Sequence, residues 1–250
     1  MSEYQFVHFI AIDRPLSDEQ MEFMQRQSTR ATISRREFSN EYHFGDFHGK
    51  SLEMMRRGFD LHLHFANYGI RRLMFRLSAG LPCGQAGFKP FALKDNLEWT
   101  ADDKGPGGVL TVQPESDGGQ WDSYVEGLED ILTELTPVRE MLMAGDLRPL
   151  YLAWLACNPY EGKEPPVPAG LRMLPAALRV FADFYEVSDD LLQLRQKNQR
   201  IRTNDPCPNF RFRNGLTVNR PVNISISSSN YCWTTPESFE PICSRKSGSR

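Results

Sequence analysis

Short apolar or alternating runs predict four strands in the first 80 residues, at 3–12, 31–39, 60–66 and 70–77. The last two flank Asn67-Tyr68-Gly69, a turn sequence typical of a β-hairpin. Helical spacing predicts two short helices between the strands, at 17–28 and 51–57. Ser17 and Gln20 have the spacing of a capping box at the start of the first of these helices.

A change of pattern near residue 120 predicts a helical layer. Residues 79–120 are rich in glycine, and only 108–112 has the pattern of a short strand. Beyond them, apolar residues recur at helical spacing, and LRPLYLAWLAC is apolar nearly all round, which is typical of a buried helix. Pro137 is expected to kink or break the first helix. We therefore predict an α+β fold, in which a small, mostly antiparallel sheet with two helices (1–115) packs on a helical region (120–200).

The composition of the chain limits the classes of partner that it could bind and the cell compartment in which it could act. The chain has 250 residues, 40% hydrophobic and 24% charged, with a formal net charge of -3, as in ordinary soluble proteins. This charge provides no general attraction for nucleic acids or anionic membranes, and no apolar run approaches the roughly 20 residues of a membrane helix. The cysteine count is odd and no C-x-x-C pair occurs. This disfavours a disulfide framework or a cysteine zinc site and favours the cytoplasm.

Residues 201–250 differ from the rest of the chain. They are rich in serine, threonine and asparagine, and poor in aliphatic residues. A segment of this composition cannot bury enough apolar surface to offset the entropy lost on folding. We therefore expect a single α+β unit at 1–200, followed by a disordered tail at 201–250.

The segment FDLHLHF presents the first candidate site. Strand alternation places Asp60, His62 and His64 on one face. Two imidazoles at this spacing suit a divalent transition metal, and such a site is compatible with a metal-dependent hydrolase. A third ligand would come from the segment NEYHFGDFHG, through His43, Asp46 or His48. The alternative, which the sequence favours because H-x-H is a weak pattern, is a solvent-exposed strand face that holds no cofactor.

Adjacent arginines present the second candidate. The pairs Arg35-Arg36 and Arg71-Arg72 lie in a region, 30–76, that also contains several aromatic residues. Guanidinium groups and aromatic rings together can hold phosphates and stacked bases, so a nucleic-acid-binding module is an alternative function. Neighbouring residues on a strand point to opposite faces, however, and the region is nearly neutral overall. These two features disfavour nucleic acid as a partner.

Motifs for other chemistry do not occur. The loop glycines fit neither a P-loop nor a dinucleotide-binding turn, and the chain has no G-x-S-x-G or H-E-x-x-H sequence. We therefore favour a non-enzymatic interaction or regulatory module that binds a protein partner and no membrane. On this prediction the protein needs no cofactor, and the divalent metal belongs only to the hydrolase alternative.

Five blocks of sequence together resemble a family of uncharacterised bacterial proteins. The blocks occur in order as AIDRPLS, NEYHFGDFHG, GIRRLMFRL, DLRPLYLAWL and EPPVPAGL. The resemblance covers roughly residues 3–195 and implies a bacterial, cytoplasmic protein. It implies no catalytic or binding residues, because no activity or substrate is established for the family. The segment from about residue 200 departs from the family pattern, which supports its interpretation as an appendage.

Overall fold

The structure is a computed structural model that describes residues 4–43, 45–115, 127–157 and 163–195. All of these residues belong to the first of two compact units, Met1–Pro206. The tail predicted at 201–250 lies outside the described residues.

A seven-stranded antiparallel sheet forms the centre of this unit, with the strand order β2-β3-β1-β4-β5-β7-β6. The strands are β1 (Gln5–Ile10), β2 (Thr32–Ile33), β3 (Glu37–Tyr42), β4 (Leu61–Ala66), β5 (Ile70–Leu77), β6 (Leu97–Ala101) and β7 (Gly108–Val112). The β4–β5 hairpin turns at Gly69, whose φ of 117° favours glycine. Strand β1 pairs with β3 on one side and with β4 on the other, so that His8 lies opposite Ser39 of β3 and Leu63 of β4.

Six helices accompany the sheet in the described part of the chain. They are α1 (Asp18–Gln25), α2 (Ser51–Arg57), α3 (Gly84–Phe88), α4 (Leu128–Met143), α5 (Arg148–Cys157) and α6 (Ala176–Phe184). Helices α4, α5 and α6 pack on one face of the sheet, which we call the first face, and α1 and α2 pack on the second face. Each face therefore has its own hydrophobic core.

The alternation of side chains along β4 separates the two cores. Leu61, Leu63 and Phe65 point to the first face, where they meet apolar residues of α4, α5 and α6. His62 and His64 point to the second face, beside Val7 and Phe9 of β1 and close to α1 and α2. None of the helices that the structure describes has the length and apolar character needed to span a bilayer.

The predicted α+β class is confirmed, and the differences are local. The segment 31–39, predicted as one strand, divides into β2 and β3 because residue 34 turns back to hydrogen-bond the carbonyl of Glu37. The glycine-rich region predicted as loops contains α3 and β6 as well as the expected β7. Pro137 does not break α4, because Leu135 and Val138 on either side of it are buried in the first core and outweigh one lost backbone hydrogen bond.

Candidate functional site

The face of β4 that carries His62 and His64 is buried, so the prediction of a solvent-exposed strand face is wrong. His62 is 0% exposed, and His64 and Asp60 are almost as inaccessible. The physical reason is that α1 and α2 have apolar stripes of their own, which cover this second face. The loop between β3 and α2 adds Phe47, whose ring contacts Phe9 and His64.

His62 is held by its neighbours on β1. Its ring stacks on Phe9, with centroids 3.8 Å apart, and its Nδ1 donates a hydrogen bond of 3.0 Å to the backbone carbonyl of His8. Nδ1 therefore carries the proton, and Nε2 presents a lone pair. Within the described part of the chain this buried Nε2 has no hydrogen-bond partner. Burial holds the pKa of His62 well below its usual range, with a smaller contribution from His64, so the ring is neutral.

His64 is held by Gln5. The side-chain amide of Gln5 donates to a carboxylate oxygen of Asp46 at 2.7 Å and to the carbonyl of Gly45, so its own oxygen faces His64. His64 Nε2 donates to that oxygen at 3.0 Å, which leaves Nδ1 as a buried lone pair without a partner among the described residues. Burial and the charge of Arg72 lower the pKa of His64 to about 4, although Asp46 opposes the shift.

The other predicted metal ligands do not join the two histidines. His43 follows β3 on the first face, where it is exposed and lies 3.7 Å from a carboxylate oxygen of Glu41. His48 is exposed. The carboxylate of Asp60 accepts from the backbone N–H groups of residues 12 and 13 and from the guanidinium of Arg139. Across the described ranges, no group of three or more His, Cys, Asp or Glu side chains could hold a metal ion.

The structure also separates the four arginines that the nucleic-acid alternative requires. Arg35 donates to the Leu16 carbonyl and pairs with Asp18, and Arg36 donates to the carbonyls of residues 11 and 12. Arg71 reaches the carbonyl of Phe184 and pairs with Glu186 near the helices of the first face. Arg72 points to the second face and donates to Gln113. These contacts are structural ones, and they do not form a single basic surface.

A polar pocket opens on the first face, at the side of the sheet that carries β2. It encloses about 370 Å³. Side chains of three neighbouring strands and of α4 line it, principally His8 of β1, Glu37, Ser39 and Glu41 of β3, Thr32 of β2 and Glu129 of α4. The strand register explains the arrangement, because Thr32, Ser39 and His8 lie opposite one another in one row across the sheet.

His8 lies at the inner end of this pocket, with 4% of its surface exposed. Its Nε2 lies 2.9 Å from a carboxylate oxygen of Glu37. A carboxylate accepts, so Nε2 donates and Nδ1 presents a lone pair, which is buried and has no partner within the described ranges. Burial lowers the pKa of His8, and Glu37 and Glu129 only partly oppose that shift, so the imidazole is neutral at pH 7.

The pocket offers hydrogen-bond acceptors and negative charge. Three of its lining residues are glutamates, at 37, 41 and 129, and none is lysine or arginine. The strand register places two possible side-chain donors on this face, the hydroxyls of Thr32 and Ser39. A group that complements such a surface carries positive charge and several N–H donors, as an ammonium or a guanidinium does.

The sequence contained a weak signal for this pocket. His8 lies between the apolar residues Val7 and Phe9 of β1, and strand alternation places it on the same face as the apolar Phe6 and Ile10. Buried polar groups require partners, so an isolated histidine on an apolar face indicates a specific environment. Glu129 gave no signal, because its position on α4 is that of an ordinary surface glutamate.

Comparisons of the chain with protein-family models, with curated proteins and with solved structures found no match. The resemblance to uncharacterised bacterial proteins therefore stays a prediction.

Proposed function

We propose that this chain is a non-enzymatic interaction module that binds a cationic side chain of a protein partner in the pocket beside His8. One observation carries the proposal: three glutamates, and no lysine or arginine, line an open pocket on the first face whose wall includes His8. An arginine side chain of the partner would meet several acceptors at once, and the carboxylates would attract it from solution. The odd cysteine count and the family resemblance support a bacterial, cytoplasmic setting for this partner.

A binding role suits the pocket better than a catalytic one. Catalysis by a serine nucleophile requires a hydroxyl hydrogen-bonded to a base. Ser39 lies opposite His8, but His8 Nε2 is bonded to Glu37 and His8 Nδ1 has no bond to Ser39. Glu37 is about half exposed and Glu129 is exposed, so both carboxylates remain available to a partner.

The expected affinity for one cationic side chain is modest. An exposed ion pair contributes about 0.2–1 kcal/mol, and a hydrogen bond to a buried acceptor contributes about 1 kcal/mol. Replacement of the cation in a bound peptide should therefore weaken binding about tenfold, and the rest of the affinity has to come from neighbouring residues of the partner.

The test is a selection from a random displayed-peptide library on the full chain, followed by titration of the selected peptides. We expect arginine or lysine at one fixed peptide position. Replacement of that arginine by citrulline, which keeps the shape but removes the charge, should weaken binding about tenfold.

Paired variants of the protein provide the control. Glu129→Gln removes one carboxylate from the pocket and should weaken binding of the arginine peptide but not of the citrulline peptide. Glu134→Gln is the matched change on an exposed residue of α4 that does not line the pocket, and it should leave both affinities unchanged. Selected peptides without a basic residue, or an equal effect of the two variants, would refute the proposal.

A further inference from the structure

We propose that the guanidinium of Arg72 binds the carboxylate of a small organic acid with an apolar body, in a pocket on the second face. This pocket lies between α2 and strands β5, β6 and β7 and encloses about 590 Å³, a volume typical of sites for small ligands. It is separate from the pocket beside His8, which opens on the first face. Each of the two proposals can therefore fail without the other.

Arg72 is a partly buried cation that has no carboxylate partner in the described part of the chain. The other two arginines of β5 each have one, since Arg71 pairs with Glu186 and Arg76 pairs with Asp102. Burial lowers the pKa of Arg72, because the charged form loses contact with water. A charge removed from water is costly unless it is paired, so an anion is the group that this position lacks.

The terminal nitrogens of Arg72 face the pocket. Within the described ranges only its Nε is bonded, and it donates to the side-chain oxygen of Gln113. Nη1 and Nη2 have no partner there and are not buried. Two parallel N–H groups at the end of a guanidinium match the two oxygens of a carboxylate. The side chain is therefore held at one nitrogen and open to a ligand at the other two.

The charges around the pocket favour a singly charged anion. Three basic and three acidic residues line it: Lys50, Arg56, Arg72, Glu53, Asp95 and Glu98. Arg56 already donates to a backbone carbonyl of β6, and the ammonium of Lys50 lies 3.9 Å from the carboxylate of Glu53. A phosphate, with nearly two negative charges, would be repelled by three carboxylates. A carboxylate places only one charge, at the open end of Arg72.

Apolar side chains provide a surface for the body of the ligand. Leu52 of α2 and Met74 of β5 line the same pocket, and Met74 lies two residues after Arg72 on the same strand face. An aliphatic or aromatic acid can therefore pair its carboxylate with Arg72 while its carbon atoms cover Leu52 and Met74. Sites for small ligands commonly combine such an apolar lining with a few polar groups that fix the orientation.

The experiment is a titration of the full chain with benzoate, at pH 7 and constant ionic strength, followed by NMR of the arginine Nε–H groups. Benzamide, which has nearly the same shape without the charge, and inorganic phosphate are the comparison probes. We expect the Arg72 signal to shift and to saturate with a dissociation constant of about 1 mM. Both comparison probes should bind about tenfold more weakly or worse. No saturable shift of this signal, or equally tight binding of benzamide or phosphate, would overturn the proposal.

His64 supplies a second readout. It lies opposite Arg72 in the β4–β5 register, and burial followed by the charge of Arg72 lowers its pKa to about 4. A bound carboxylate offsets that charge. With benzoate present, the protonation of His64, followed from pH 7 downwards by NMR of the ring nitrogens, should therefore begin at a higher pH. An unchanged onset would show that benzoate does not bind at Arg72.

Two arginine variants provide the matched control. Arg72→Gln removes the guanidinium and should weaken benzoate binding about tenfold or more. Arg30→Gln removes the same charge from an exposed arginine that does not line the pocket, and it should leave the affinity unchanged. An equal effect of the two changes contradicts the proposal. If Arg72→Gln fails to fold, the benzoate and His64 titrations of the unsubstituted chain decide the outcome on their own.

Discussion

Acidification should destabilise this protein through its buried histidines. In the folded chain the pKa of His64 is about 4 and that of His62 is held below its ordinary value of 6.5, in both cases mainly by burial. The unfolded chain therefore binds protons at a higher pH than the folded chain does. Stability is fully present above the unfolded pKa and is lost as the pH falls from about 6.5 towards the folded pKa of about 4.

The magnitude follows from the two pKa values of His64. Between about pH 7 and about pH 5, linkage predicts a loss of about 2 kcal/mol in the free energy of unfolding from His64 alone. His62 and His8 add to this loss, since burial lowers their pKa values as well. The loss is a large fraction of the stability of a typical domain, about 5–15 kcal/mol.

Urea denaturation followed by circular dichroism, at several pH values, measures the effect. Because carboxylates also titrate in this range, the contribution of His64 is obtained by comparing variants. His64→Gln keeps a polar side chain beside Gln5 but cannot be protonated, so its stability should fall by about 2 kcal/mol less than that of the unsubstituted chain over the same interval. His43→Gln, at an exposed position, should follow the unsubstituted chain. If the profile of His64→Gln is parallel to that of the unsubstituted chain, His64 is not buried as the structure describes.

Three further substitutions test the packing by urea denaturation. Arg139→Ala should lower the free energy of unfolding by about 3–5 kcal/mol, because it leaves a buried carboxylate without its cation, whereas Arg35→Ala, which removes an exposed ion pair, should cost at most about 1 kcal/mol. Phe47→Ala should cost about 2 kcal/mol, less than a fully buried ring, and should speed hydrogen exchange at the second face. Gly108→Ala should cost about 1–3 kcal/mol, because a Cβ there would lie 2.4 Å from the Trp99 ring. If Arg139→Ala, Phe47→Ala or Gly108→Ala costs no more than Arg35→Ala, the contact that it removes or crowds is not as described.

Most of the strands could be predicted because alternation is a local property, whereas β6, in the glycine-rich region, was missed. The hairpin, the capping box at Ser17 and the helical region beyond residue 127 all agree with the sequence pattern. The burial of His62 and His64 could not be predicted in the same way, because polar residues at every second position have the same pattern on a solvated face and on a second core. The residues that decide between a solvated face and a second core lie in other segments of the chain. Phe23 and Met24 of α1, together with the buried methionines of α2, need an apolar surface to cover.

The arginines illustrate a second limit. Adjacent pairs suggested a basic surface, but Arg71 and Arg72 belong to opposite faces of β5 and have different partners. Glu186, which pairs with Arg71, lies more than a hundred residues later in the chain. Contacts over such a distance follow from the packing of the helical layer on the sheet, and composition within one segment carries no information about them.

The buried histidines of the two faces show how the same local chemistry can stand in different surroundings. On both faces a neutral imidazole donates one N–H and keeps one buried lone pair. On the first face the nearby groups are exposed carboxylates, which favour a hydrated, hydrogen-bonding cation that a partner can insert from solution. On the second face they are aromatic rings, thioethers and the guanidinium of Arg72, which lies opposite His64 and disfavours a further cation. The neighbours of each imidazole, and not the histidine itself, therefore determine whether a face can bind a cation.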